Sequence, residues 1–180
     1  MNTIAIIQKY YEPETKAYQI LIEHSQNVAS FAVDIASKHP ELMADEKFIH
    51  QAAMLHDIGI FMTKAPEIGC NGAHPYICHG YLGRELLEKE DLPKHALVCE
   101  RHTGAGLTLI DIKTQNFPIP HRDMFPLTIE EQIICYADKF YSKSKDLSKR
   151  KDVDRIMKKM ERYGKDQLAR FKTWHEIFSV

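Results

Sequence analysis

The sequence predicts an all-α protein, on three observations. Apolar residues recur at steps of three, four and seven, strand-like alternation never runs beyond a few residues, and helix start and stop signals bracket the periodic segments. From Lys16 to Lys38 the stripe is Ala17, Ile20, Leu21, Val28, Phe31, Ala32 and Ile35, with His24 in phase where leucine would be expected. Asp45 can cap a second helix that gathers Phe48, Ala52, Leu55 and His56 on one face, with Gly59 expected as its stop. Residues 63–76 carry two prolines and two glycines and read as an irregular loop.

A third helix is predicted over about residues 76–89, with His79, Leu82, Gly83 and Leu86 on one side. Pro93 suits the first turn of a short fourth helix that carries Leu97, Val98, Arg101 and His102 and ends at Gly104 and Gly106. Residues 115–126 form a loop with three prolines. Thr128, with Glu131 three residues on, has the capping-box spacing that opens a fifth helix, on which Ile134, Asp138 and Tyr141 share a face. Residues 148–180 are charge-rich and read as two helices around Gly164. These observations divide the chain into a main unit over residues 1–145, with a short N-terminal helical lead-in, and a C-terminal helical extension over 146–180. The extension is expected to pack on the same unit or at a homodimer interface.

Composition narrows the function. The chain has 180 residues, 44% hydrophobic and 27% charged, near globular averages. Lys+Arg 24 against Asp+Glu 25 leaves a net charge of -1, so neither a polymeric nucleic acid nor a membrane surface is expected as partner. The N-terminus lacks a basic region before its apolar residues and reads as no signal peptide, so a cytoplasmic location is expected. The cysteines Cys70, Cys78, Cys99 and Cys135 form no C-x-x-C pair and read as buried thiols.

Ten histidines beside one tryptophan is the unusual entry in that composition, and it points to metal or acid–base chemistry. His24, the pair His56-Asp57, His79, His102 and Asp138 each fall where an apolar stripe or its edge should point inward. One inward histidine is usually a satisfied core residue. A buried carboxylate needs a partner, and several imidazoles and carboxylates aimed inward need a shared one, for which a divalent cation is the simplest. His39, His50 and His175 read as surface residues, and His74, His95 and His121 as neighbours of the site at most.

The run Leu55-His56-Asp57-Ile58-Gly59, preceded by His24 and followed by Asp138 in Tyr136-Ala137-Asp138-Lys139, resembles the HD superfamily of metal-dependent phosphohydrolases, and within it the HDIG subgroup. The resemblance covers about residues 20–145 and implies an HD-domain bundle of about five core helices with additional C-terminal helices. It implies that His24, His56, Asp57 and Asp138 hold a first metal ion. His79 and His102 stand where the dinuclear branch of the superfamily has two further histidines, with Asp57 then bridging. The Glu100-Arg101-His102-Thr103-Gly104-Ala105-Gly106 run and Arg122-Asp123-Met124-Phe125-Pro126 are most similar to small, poorly characterised HDIG proteins.

Two departures stand out. The Gly-Tyr-Pro signature of cyclic-dinucleotide phosphodiesterases is absent after His102, and the lysine usual after the HDIG run is replaced by Ile60 and Phe61. The resemblance implies one or two ions of Fe, Mn, Co, Ni or Zn and a small phosphate or nucleotide substrate. Asp57, Lys139 and Arg101 are the catalytic candidates, the two cations as phosphate-neutralising groups, with Arg84 and Arg122 as further candidates. The alternatives are a dinucleoside polyphosphate hydrolase, a di-iron oxygenase, and a catalytically weak metal- or nucleotide-binding regulatory module.

Overall fold

The computed structural model describes residues 1–143 and 146–180, so the boundary expected at residue 145 falls outside the described residues. Among the described residues helices dominate, with a single two-stranded sheet beside them. The α-helices are α1 (Thr3–Ile7), α2 (Lys16–Lys38), α3 (Glu46–Leu55), α4 (His79–Lys89), α5 (Pro93–Arg101), α6 (Leu109–Thr114), α7 (Ile129–Asp138), α8 (Val153–Tyr163) and α9 (Lys165–Phe178). No described helix is long and apolar enough to cross a membrane.

The caps follow the residue chemistry. Thr15, Asp45, Thr108, Thr128 and Asp152 each accept a backbone N–H in the first turn of their helices. Pro93 opens α5. Glu131 does not close a box onto Thr128. Its carboxylate takes the Leu127 N–H and a guanidinium instead. The short α6 lies in residues that the sequence left unassigned. It holds six residues with a full capping box from Thr108 and Asp111, too few for periodicity to register.

The loop predicted over 63–76 contains the one described sheet, an antiparallel pair β1 (Lys64–Ala65) and β2 (Cys70–Asn71) in register Lys64 with Asn71. Gly59 does not stop α3 by a left-handed turn, as expected. The helix ends at Leu55, His56 caps it, and Gly59 sits inside a 3₁₀ turn, Ile58–Met62. Glycine is needed there for close approach: a Cβ would lie 2.3 Å from the His79 carbonyl oxygen and 2.5 Å from the Gly83 nitrogen.

Two apolar cores meet along α2. Ala17 and Leu21 belong to one, with Ile7, Leu55, Ile58, Leu87 and Cys99. Val28, Phe31, Ala32 and Ile35 belong to the other, with Ile49, Ile133, Tyr136 and Phe140. Ile156 and Met160 of α8, and Phe171, Trp174 and Phe178 of α9, are buried in that second core. Each such large side chain contributes about 1.5–3 kcal/mol by leaving water. His24 stands on α2 at the seam between the two cores. The polar site lies there.

Candidate metal centre

Five segments deliver the site. His24 comes from the middle of α2, His56 and Asp57 from the end of α3, His79 from the start of α4, His102 from the end of α5 and Asp138 from the end of α7. All six are buried, with Asp57 and His56 at 0% exposure. Three of the histidines are oriented in the same way. The Nδ1 of His56, His79 and His102 lies 2.6, 2.6 and 2.7 Å from the carbonyl oxygens of Ala53, Tyr76 and Cys99. A carbonyl only accepts, so Nδ1 carries a proton in each and each Nε2 faces the interior; at His79 and His102, whose pKa values burial lowers, Nε2 presents a lone pair.

The two oxygens of Asp57 serve different neighbours. Oδ2 lies 3.3 Å from His24 Nε2 and 3.1 Å from His56 Nε2. Asp138 Oδ1 completes that side, 3.0 Å from His24 Nε2 and 3.4 Å from His56 Nε2. Oδ1 of Asp57 faces the other way, 3.3 Å from His102 Nε2 and 3.6 Å from His79 Nε2. The result is two donor groups sharing one carboxylate: His24, His56, Asp57 and Asp138, and Asp57, His79 and His102, each with its donor atoms within 4.8 Å of one another.

These residues fit a divalent cation. Neither oxygen of Asp57 nor Nε2 of His56 has an aligned hydrogen-bond partner, although all three atoms are buried. The Nε2 atoms of His79 and His102 stand 3.1 Å apart with both lone pairs turned inward, an arrangement that calls for a cation between them. Thiolates are absent from both groups, and imidazole with carboxylate suits first-row transition ions.

Protonation follows from burial and neighbours. Burial pushes Asp57 up, but His56 and Lys143 outweigh it and hold its carboxyl well below the usual range. Burial is likewise outweighed at Asp138, chiefly by Lys139 and then Lys143. For His56 burial lowers the pKa, and Asp57 and Asp138 reverse this, raising it to about 9. His79 is pushed down to about 3 by burial and by His102, so it is neutral at physiological pH. Neutral imidazole is the ligand form.

The expected cations are placed differently. Lys139 is buried against the cluster, its Nζ 2.7 Å from Asp138 Oδ2 and donating to the His102 carbonyl at 2.9 Å. Arg101 does not join the cluster: its guanidinium donates to both oxygens of Glu131, at 2.8 and 3.0 Å. Arg84 and Arg122 both bind the buried carboxylate of Glu100. The role expected for Arg101 in neutralising phosphate is therefore not what its contacts support, because a guanidinium held by a buried carboxylate has a structural partner already. Arg101→Ala is expected to cost about 3 kcal/mol of stability by stranding Glu131 while leaving metal content unchanged. Urea unfolding and metal analysis of the same preparation check both, and lost metal would put Arg101 back in the site.

Lys143 is the residue that sequence reasoning missed. Its Nζ reaches within 2.6 Å of Asp57 Oδ2 and 3.9 Å of Asp138 Oδ1, by proximity rather than an aligned hydrogen bond. It lies beyond the end of α7 in a stretch rich in lysine and serine, where no helical phase assigns it a direction. Of the two loops predicted from the sequence, 63–76 supplies Glu67, Ile68 and Tyr76 to the adjoining cleft, and 115–126 supplies Gln115 and Phe117. His95 lies against Phe48, outside the cluster.

Comparison with known proteins adds a family. The HD domain family profile matches residues 21–143. A tRNA (cytidine(56)-2'-O)-methyltransferase of Picrophilus torridus is 30% identical over 164 residues, which cover 91% of this chain and 42% of that protein. A protein of the same name from Thermoplasma volcanium is 28% identical over 165 residues, covering 91% of this chain and 43% of its own. An uncharacterized protein of Methanocaldococcus jannaschii is 31% identical over 150 residues, 81% of this chain and 79% of that protein. The chain thus spans less than half the length of the methyltransferase-named relatives. No solved structure matches it.

Proposed function

Because this chain belongs to the HD domain family, we propose that its buried cluster holds one or two divalent transition-metal ions and that the protein hydrolyses a phosphate ester of a small nucleotide or related compound. The carrying observation is Asp57, which turns one oxygen to each of the two donor groups. His24, His56, Asp57 and Asp138 would hold one ion; Asp57, His79 and His102 would hold the second. The donor set suits Fe, Mn, Co, Ni or Zn. Such ions, when bound, supply Lewis acidity towards a phosphoryl oxygen and bring the pKa of water close to neutrality.

The side chains around the cluster divide the remaining work. Lys139 is a positioning residue, because its ammonium ties the Asp138 carboxylate to the His102 backbone. Lys143 is the cation placed to neutralise a phosphate oxygen, since it reaches the cluster and lines the cleft beside it. Methyl transfer is not carried over from the names of the relatives, which this chain matches over less than half their length.

Metal analysis of protein purified without chelator tests nuclearity. His79→Ala and His102→Ala are each expected to lose one ion and keep the other. Loss of neither or of both would make this a single-ion centre in which those histidines serve as acid–base groups. A screen of phosphate esters against Mn²⁺, Co²⁺ and anaerobic Fe²⁺ tests turnover. If no ester is hydrolysed under any metal, the protein is a metal- or nucleotide-binding regulatory module instead.

A further inference from the structure

A net charge of -1 conceals how unevenly positive charge is placed. A cleft of about 830 Å³ adjoins the cluster, lined by His79, His102 and Asp138 and also by α8. Arg155, Lys158, Lys159 and Arg162 of that helix all line it. They share one face by their spacing, and Arg155 and Arg162 are separated by about 10 Å along the axis. Among the described residues Arg155, Lys158 and Arg162 have no ion-pair partner, and Lys159 lies over the Tyr163 ring at 5.6 Å. Glu67 is the one described carboxylate lining the cleft besides Asp138. Ile156 and Met160 of the same helix are buried in the second core and also line the cleft, so packing against the core fixes how the basic stripe borders it.

The same cleft is lined by Tyr76, Phe117, Tyr141 and Tyr163. A positive track with aromatic rings alongside is the chemistry that holds single-stranded nucleic acid, the cations following the backbone and the rings taking the bases. We propose that the cleft takes the end of a single-stranded oligonucleotide, with its terminal phosphate ester at the cluster and the following phosphates along α8. This rests on the phosphoesterase reading of the cluster and names its substrate class. Cations spread over two helical turns suit phosphates separated by nucleosides, whereas a compact triphosphate would meet only the first of them. The stripe also lies outside residues 21–143, the segment that the family profile matches.

The test is equilibrium binding, read by fluorescence anisotropy of an end-labelled oligouridylate about ten nucleotides long, a length within the site sizes of single-strand grooves. The chain of residues 1–180 is used as purified. Arg155→Ala/Lys158→Ala/Arg162→Ala is expected to weaken binding roughly tenfold or more, and to reduce the slope of log affinity against log salt by about 2. The same variant should leave hydrolysis of para-nitrophenyl phosphate, a single-phosphate probe, unchanged. Equal binding by variant and wild type would overturn the proposal, as would a salt-independent affinity of the wild type alone. Adenosine triphosphate competing as well as the oligonucleotide would overturn it too, by assigning the stripe to compact polyphosphates. Because binding is read without turnover, oligonucleotide binding without hydrolysis would fault the hydrolase reading alone. Hydrolysis of the single-phosphate probe without oligonucleotide binding would fault this one alone.

Discussion

Asp57→Ala protein is expected to retain no stoichiometric metal, and hydrolysis is expected to fall roughly 10³-fold or more, a loss of about 4 kcal/mol in transition-state stabilisation. The size of the effect follows from geometry. Removing any one histidine strips a single donor from one group, but Asp57 gives an oxygen to each, so its loss opens both at once. The variant also removes the charge that Lys143 and His56 face. Fold is checked by circular dichroism, metal by elemental analysis, and rate against the best ester from the metal screen. Full metal content in a folded Asp57→Ala protein would sink the two-group reading.

Much of this arrangement was legible beforehand because helices enforce it. His24 stood out by taking the place of a leucine in an otherwise apolar stripe, and Asp138 by being a carboxylate on an inward face. The pairing of His56 with Asp57 was harder. Neighbouring helical residues diverge by about 100°, and only the end of α3 at Leu55, which turns Asp57 out of helical geometry, lets both face one point. The engagement of Arg101 with Glu131 and the arrival of Lys143 were not legible, since each depends on where a long side chain meets another segment. The division of charge between α8 and the rest was invisible to a net-charge sum.

Metal removal is expected to lower the melting temperature by about 10 °C relative to protein held at saturating Mn²⁺. At a thousandfold excess over Kd, a ligand bound only by the folded state adds about 4 kcal/mol, and for a chain of this size each kcal/mol moves Tm by about 2–4 °C. The difference should widen with pH. His56 has its pKa raised to about 9 in the metal-free protein, so its favourable charge stabilises that form fully below about 6.5 and is lost as pH rises through 9. Metal has to displace the same proton, so its apparent affinity rises over the same interval. Calorimetry of chelator-treated and Mn²⁺-loaded protein at both ends of that interval checks the sign. A gap that narrowed with rising pH would show that His56 is not a ligand.

The contact at Gly59 sets how far the site can adapt. There the turn that follows Asp57 meets the start of α4 main chain against main chain, at the carbonyl of His79 itself. Side chains act as springs, since they swing between rotamers and absorb a misfit of an ångström. Here no spring is interposed, so the backbones that carry Asp57 and His79 are held to one measure by peptide atoms. The centre is then a gauge rather than a jaw. Repacking of the surrounding cores leaves the spacing of these two backbones in place.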